Sequence, residues 1–475
     1  MESQRSMDEV LKLQREHFLK EGPPSYELRI DRLNRVKDIV IQNKERITEA
    51  LNTDFGARSP SQSLISDVYA VLPPFTYAIK HLKSWMKDEK KKSNFPFGLL
   101  GAKSYIHREP LGSIGMISPW NFPIYLSLAP LAGIFSAGNQ VMHKPSEFTP
   151  TTSELLKEIC DSAFDETEFA TFLGGPDVGA AFTQLKFDHL LFTGSGNIGK
   201  HVMRAASENL VPVTLELGGK SPVIVSDSSN IDITARRVMF NKTLNAGQIC
   251  LAPDYVYVHE TQKDNFVEAC KDQVNNFYSD LKYNPDYTSV INQKHYDRLN
   301  GLLSDAKEHG AELVEINPAD EDFTQQESHK IPPTLVLNPT DEMQIMKEEI
   351  FGPLLPIKTY KDIREPINYI NKNDKPLGLY YFGNNKNEEA KVLNSTSSGG
   401  VTVNDIMGHL QQNELGFGGV GPSGMGKYDG FDGFMNFSNN KPIYKQVGFG
   451  LEKFFDAIRP PYKDGFENVI KKLLK

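Results

Sequence analysis

The chain has 475 residues, 39% of them hydrophobic, and a net charge of -9. That length can bury a large core and suits two or three domains. The acidic balance argues against nucleic acid as a partner, which wants a basic face.

Residues 6–54 read as helices, with Leu33, Val36, Val40 and Ile47 spaced near the helical period and charge between them. A further helix is predicted over 66–87, interrupted near Pro73-Pro74. The charge run 87–92 reads as a solvated helix end, 94–100 as a Pro/Gly loop, and 104–109 as an extended arm. From Leu111 apolar strand-like runs (113–118, 140–143, 169–173, 189–193, 212–217) alternate with helical stretches (126–137, 151–163, 198–209). This alternation predicts βαβ units and a parallel sheet, whose ligands lie outside the carboxyl ends of the strands. A second α/β unit is predicted from 221 to about 399. Its strands are 223–225, 255–259, 334–337 and 355–360, and its helices 233–244, 262–278, 294–309 and 363–372. Residues 318–330 read as a polar surface loop, and the glycine-dense 416–433 as a long irregular segment.

Three cysteines (Cys160, Cys250, Cys270) make no disulfide framework and show no CxxC spacing, so neither a disulfide scaffold nor a metal site is expected. The N-terminus is charged and lacks an apolar run, and no stretch approaches the ~18 apolar residues of a membrane span. A reducing, cytoplasmic location is expected.

The chemistry concentrates in a few short stretches. Gly247-Gln248-Ile249-Cys250 places a thiol just after a helix breaks. As thiolate, cysteine is a strong nucleophile near neutral pH, although a lone free cysteine is as often a small core hydrophobe. Glu216, in Leu215-Glu216-Leu217-Gly218-Gly219-Lys220, could serve it as base. Gly194-Ser195-Gly196-Asn197-Ile198-Gly199 spells GxGxxG between a strand and a helix, and Glu216 lies about where a ribose acid is expected. The motif comes too late in its domain for the ordinary fingerprint, so only phosphate binding at the helix N-terminus is retained from it. Trp120-Asn121 ends a strand with an amide that could donate to an oxyanion, or with ordinary turn chemistry. Lys144-Pro145-Ser146-Glu147 offers a cation and a carboxylate suited to ribose or phosphate. Glu349-Ile350-Phe351-Gly352-Pro353 sets a carboxylate beside an aromatic ring and a tight turn.

Taken together these motifs resemble the aldehyde dehydrogenase superfamily, in order and spacing, over nearly the whole chain. The short N-terminus, Cys250-Leu251-Ala252-Pro253-Asp254-Tyr255, and Gly418-Gly419-Val420-Gly421 followed by Ser423-Gly424-Met425-Gly426 are similar to the class 3 branch, which acts on fatty and aromatic aldehydes. Two departures stand out. Gly196 occupies a position that is commonly Thr in that branch, and the chain ends in a short amphipathic helix (466–475) where membrane-bound members carry a hydrophobic segment. Packing of that helix on its own subunit or a dimer mate is expected, ahead of contact with a membrane surface.

The resemblance implies an α/β fold with a Rossmann-type cofactor domain (1–90 and 110–217), a catalytic domain (218–420), a bridging or oligomerisation arm (91–109 and 430–446) and a tail (447–475). It implies NAD or NADP as cofactor, with NAD favoured, a small-molecule aldehyde as substrate, and a homodimer. In that reading Cys250 attacks the aldehyde, and Asn121 with the Cys250 backbone N–H stabilises the oxyanion. Glu216 activates the hydrolytic water. Lys144 and Glu147 reach the adenosine ribose, Gly194, Ser195 and Gly199 serve the phosphate turn, and Glu349 reaches the nicotinamide ribose with Phe351 and Trp120 beside the ring. A rival reading from another class is a non-redox cysteine hydrolase or acyltransferase using Cys250 and Glu216; a third is a binding protein on the same fold.

Overall fold

The computed structural model describes residues 5–95 and 97–448 and, in the C-terminal tail, 456, 459–462 and 464–474. Among these, three sheets organise the chain. The first has six strands in the spatial order Gly424–Met425, Val213–Glu216, His189–Thr193, Ser113–Ile117, Gln140–Lys144, Phe169–Thr171. All its neighbours are parallel except the short Gly424–Met425, which runs antiparallel to Val213–Glu216. Gln140–Lys144 and Phe169–Thr171 are buried at every position, as a parallel sheet covered by helices on both faces requires. The helices Tyr26–Gln42 and Lys44–Phe55 pack on other helices, Leu131–Ala137 and Pro150–Asp161 among them, with the apolar stripe that their spacing predicts: Leu33, Val36, Val40 and Ile47 are fully buried.

Strand order reverses at Ser113–Ile117. The chain moves outward through Gln140–Lys144 and Phe169–Thr171, then returns to the other side for His189–Thr193 and Val213–Glu216. Such a reversal opens a crevice at the carboxyl ends of the two flanking strands. Trp120 and Gly194-Ser195 lie just past those ends.

The second sheet has seven strands: Glu312–Glu315, Thr334–Leu337, Leu354–Tyr360, Tyr255–His259, Pro222–Val225, Gly378–Phe382, Gly400–Val403. Only the edge strand Glu312–Glu315 is antiparallel. The third sheet is an antiparallel arm of Glu89–Lys91, Lys103–Pro110 and Ser438–Lys445.

The structure departs from the sequence reading at several elements. The charge run ends in the edge strand Glu89–Lys91 and is not a helix end; lysines are well placed on an edge, where they discourage further strand pairing. The helix expected over 126–137 is two, Pro123–Leu128 and Leu131–Ala137, broken at Pro130, which has no N–H to continue the first. Pro73 and Pro74 do not interrupt their helix; Leu72–Trp85 begins there, with proline in the first turn where no N–H is needed, and the irregular turns Leu64–Val68 and Tyr69–Val71 come before it. Within 416–433, Gly424–Met425 joins the first sheet and the helix Gly430–Asn436 starts, packing on Leu131–Ala137. The strands Gly378–Phe382 and Gly400–Val403 and the helices Pro176–Thr183 and Lys386–Ser395 were not anticipated. The tail carries a helix, Asp464–Leu473. Among the described residues no helix is long and apolar enough to cross a membrane.

Candidate active site

Cys250 sits beyond an unusual turn. Helix Ile231–Thr243 ends, and Asn245, Ala246 and Gly247 follow with φ of 51°, 50° and 71°. Three successive left-handed residues are costly for any L residue but glycine, and Ala246 bears that cost without a polar side chain to offset it. Glycine is required at 247, because a Cβ there would overlap the carbonyl of Gly352. The turn is pinned by Gln248, which is fully buried. Its Nε2 donates to the carbonyls of Asn245 (2.9 Å) and Ser289 (3.0 Å), and its Oε1 accepts from the Ile291 N–H (3.0 Å).

Asn121 comes from the other side, at the end of strand Ser113–Ile117. Its Nδ2 donates to the Gln248 carbonyl at 3.1 Å, which holds the amide beside the cysteine loop and leaves its second N–H for another acceptor. The Asn121 carbonyl accepts from Arg58 Nη1 (2.9 Å) and Asn245 Nδ2 (3.0 Å). Arg58 is fully buried against an equally buried Asp67, and Asp67 Oδ1 accepts the N–H groups of Ile124 and Tyr125 at 3.2 Å each. A buried ion pair thus fixes the backbone on which Asn121 stands. Arg58 and Asp67 carry no local motif and escape the sequence reading.

Glu216 ends strand Val213–Glu216, and its carbonyl accepts the Gly194 N–H at 2.9 Å. Its carboxyl is buried, and neither oxygen has a hydrogen-bond partner among the described residues. Burial, and then the charge of Asp429, push it well above the usual carboxylate range. The Cys250 thiol is pushed up as well, by burial first and then by the charges of Glu349 and Glu216, while the N–H groups of Cys250 and Leu251 partly offset this. Cys250 therefore feels both Glu216 and Glu349, although the three come from separate segments.

Glu349 lies against Gly218, where a Cβ would overlap its carboxylate. One of its oxygens is buried without a partner, and burial, then Asp254, push it up to about 8. The turn that carries it is tied down by Lys220, whose Nζ donates to the carbonyls of Ile345 (2.8 Å) and Glu348 (2.9 Å) and pairs with Asp254. Asp254 in turn accepts the Ile350 N–H at 2.9 Å. Lys220 and Asp254 thus fasten the glutamate, cysteine and Glu349 motifs to one another. Phe351, with φ 47°, turns its ring to the edge of Trp120, 5.4 Å away.

A cleft of about 940 Å³ opens at the crevice of the first sheet, lined among others by Trp120, Lys144, Glu147, Gly194 and Ser195. Lys144 Nζ reaches Glu147 Oε2 at 2.9 Å. Ser195 is the N-cap of helix Gly196–Ser207, accepting from the Ile198 N–H at 3.5 Å. Gly194 and Gly199 are needed for packing: a Cβ would come within 2.6 Å of the Phe192 ring and 2.9 Å of Leu217. A Cβ at Gly196 would meet nothing within 4 Å, so a larger residue fits there. Glu216, Glu349, Phe351 and Gly199 are not among the residues that line this cleft. His295, missed in the sequence, lines the cleft with its ring 5.2 Å from Trp120.

A dinucleotide fits this cleft. Its volume, an ion-paired Lys144–Glu147 and a helix N-terminus at Ser195 for phosphate match the groups such a ligand presents.

The aldehyde dehydrogenase family model matches residues 4–443. A probable coniferyl aldehyde dehydrogenase from Caulobacter vibrioides is 51% identical, over 99% of this chain and 97% of that protein. Aldehyde dehydrogenase family 3 member B1 from Rattus norvegicus is 38% identical, over 96% of this chain and 95% of that protein. A solved substrate-bound AldH of Staphylococcus aureus superposes with a TM-score of 0.91 at 36% identity, covering 99% of this chain and 100% of that one. With the thiol and the carboxyl brought together beside a dinucleotide-sized cleft, this chain belongs to the aldehyde dehydrogenase family, is similar to its class 3 branch, and is an NAD(P)+-dependent oxidoreductase that converts aldehydes to carboxylic acids.

Proposed function

We propose that the substrate is an aromatic aldehyde of the coniferyl type and that NAD is the preferred cofactor. The substrate reading is supported by the coniferyl aldehyde dehydrogenase relative and by Tyr125 and Tyr428, whose hydroxyls feel the charge of Cys250. The preference for NAD is supported by Glu147, a carboxylate that accepts from a free ribose hydroxyl and repels a phosphate.

In this mechanism Cys250 gives its proton to solvent and attacks the carbonyl carbon as thiolate, forming a thiohemiacetal. The second N–H of Asn121 and the Cys250 backbone N–H receive the oxyanion, contributions worth about 10²–10³-fold each. A bound nicotinamide would supply the hydride acceptor for this carbon, and Cys250 would then carry the acyl group as a thioester. Glu216 takes a proton from water, whose oxygen bonds to the acyl carbon as the C–S bond breaks. A carboxyl that holds its proton firmly is the stronger base once ionised, and burial makes Glu216 such a group. Lys144 and Glu147 would hold the adenosine ribose, Gly194, Ser195 and Gly199 would serve the phosphate turn, and Glu349 would hold the nicotinamide ribose with Phe351 and Trp120 beside the ring. The division into a cofactor domain, a catalytic domain, an arm and a tail, and a homodimer joined through the arm, belong to the same reading.

The observation that carries it is the pair Cys250 and Glu216, set together with both Glu216 oxygens unpartnered. Glu216→Gln tests it with coniferyl aldehyde and NAD. A burst of NADH near one equivalent per site is expected, then a steady rate lower by roughly 10²–10⁴-fold, with the acyl group found on Cys250 by mass spectrometry. An unmodified Cys250 in the quenched variant would overturn the assignment of Glu216 as hydrolytic base. Hydrolysis of the same acyl group without NADH would favour the cysteine hydrolase.

A further inference from the structure

The cofactor cleft is walled almost entirely by the segments that build the first sheet. Among the described residues only Lys294 and His295 reach it from the part of the chain that builds the second. Both stand in the first turn of helix Gln293–Glu308. Asn292 caps that helix, its Oδ1 accepting the His295 N–H at 3.0 Å, so the backbone donor of His295 is already used and the ring is what the cleft meets. The ring packs on two others from the opposite wall. Trp120 lies 5.2 Å away, and Phe148 lies 6.0 Å away and edge-on. Trp120 and Phe148 are themselves 6.4 Å apart. Three rings from three segments therefore meet where the two parts of the chain face each other across the cleft.

Packing alone does not call for a histidine, since a phenyl ring would fill the same space with no polar atom to bury. His295 Nδ1 is shut off from solvent and has no partner among the described residues. A buried lone pair tolerates that better than a buried N–H does, so the proton of the neutral ring belongs on Nε2. The ring is neutral because burial, and then the charges of Arg298 and Lys294, drive it down to about 4. His295 is only partly buried and lines the cleft, which leaves Nε2–H as the group a ligand meets there: a donor without a charge.

The helix sets this donor at the catalytic end of the cleft. Trp120 touches Phe351 at 5.4 Å, and the next residue, Asn121, holds the cysteine loop. One turn on from His295, and on the same helix face, Arg298 donates to the carbonyls of Glu349 (3.4 Å) and Ile350. The helix that presents His295 thus also fastens the Glu349 turn. The half of a dinucleotide that lies at this end is the half that must reach Cys250, and its ribose hydroxyls and phosphate are oxygen acceptors. We propose that His295 is a cofactor-binding residue, whose Nε2–H donates to a ribose or phosphate oxygen in the nicotinamide-bearing half of the dinucleotide. Through it the helix that anchors Glu349 takes hold of the cofactor.

The inference rests on the cleft being the NAD(P) site, and its test is binding, measured by calorimetry on the full-length enzyme without aldehyde. His295→Phe keeps a packing ring and removes the donor, whereas His295→Gln returns an N–H near the place of Nε2. The Phe variant should raise the Kd for NAD by roughly three- to tenfold, the worth of one hydrogen bond, and the Gln variant should stay within about twofold. AMP should bind all three proteins alike, and ADP-ribose should show the same penalty as NAD; if ADP shows it too, the acceptor is the phosphate, and if not, the ribose. A Phe variant that binds NAD like the unaltered enzyme overturns the proposal, as does a penalty already present with AMP. The unaltered enzyme supplies a check that needs no variant. Diethyl pyrocarbonate modifies accessible neutral imidazoles, and peptide mass spectrometry locates the product. NAD and ADP-ribose should shield His295 and AMP should not; labelling of His295 that saturating NAD leaves unchanged overturns the proposal. If the unaltered enzyme binds neither NAD nor NADP, the cofactor reading of the cleft fails; if it binds NAD and the two variants bind it equally well, only the role of His295 fails.

Discussion

At the scale of single residues, the chemistry of the site is decided by which charges are left uncompensated. Lys144 is buried to 3% exposure and has Glu147 as its salt-bridge partner, so the cofactor cleft presents a balanced pair in place of a bare cation. A 2′-phosphate would meet the carboxylate as well as the ammonium. Glu147→Gln should therefore raise kcat/KM for NADP relative to NAD by roughly tenfold or less, since repulsion between charges at a half-exposed site amounts to about 1 kcal/mol. Steady-state kinetics with both cofactors measure this, and an unmoved ratio would place Glu147 away from the ribose. Cys250, Glu216, Asn121, Lys144 and Glu349 were readable in the sequence because each stands in a short string whose residue types serve one chemistry. Asp429, Arg58, Asp67 and His295 were not. Each is a single polar residue delivered by a distant element, and no local pattern marks a side chain as buried and unpaired.

At the scale of elements, the cysteine loop is held in an expensive conformation by its neighbours. The left-handed run 245–247 brings Cys250 toward Asn121, and the Gly352 carbonyl fills the space a side chain at 247 would need. Gly247→Ala should destabilise the fold by about 1–2 kcal/mol from the positive φ alone, with more from the overlap with Gly352. It should also lower kcat, because the thiol and the amide part. Denaturant midpoints and thiol labelling rates follow the two effects separately, and wild-type values for both would show that the loop is not under this constraint. Strand and helix alternation across 113–217 was legible because buried parallel strands are continuous apolar runs. Gly378–Phe382 is equally buried, yet its short run opens on Gly378 just after Pro376 and was passed over. The Gly424–Met425 bridge was hidden for another reason: two residues carry no periodicity, and their pairing is decided by a partner strand far away.

At the scale of the whole molecule, buried histidines set the acid limit. His143 is fully buried and driven down to about 3, and His189, His295 and His409 to about 4, in each case chiefly by burial. The unfolded chain binds protons at these groups from about pH 6.5 downward while the folded one does not, so they favour folding above that pH and the advantage is lost as pH falls toward 4 and then 3. Glu349, at about 8, and Asp429, at about 7, act oppositely: the folded form keeps their protons through a range where the unfolded form has lost them, so their contribution declines as pH rises from about 4 to 8. Stability should therefore peak at mildly acidic to neutral pH. Thermal unfolding across pH 4–9 checks this, and a midpoint that keeps climbing toward pH 4 would contradict the burden placed on the histidines.

The antiparallel bridge between Gly424 and Glu216 has a consequence for biosynthesis. The strand bearing the base is made early, but the segment that walls its pocket leaves the ribosome more than two hundred residues later. At about 5–20 residues per second that is an interval of roughly 10–40 s. Through it the nascent first sheet has an uncovered edge at Val213–Glu216 and a half-built pocket around its carboxyl. Catalytic competence thus arrives only when the returning chain closes that edge, and a product truncated before Gly424 would keep the nucleophile while leaving the base open to water.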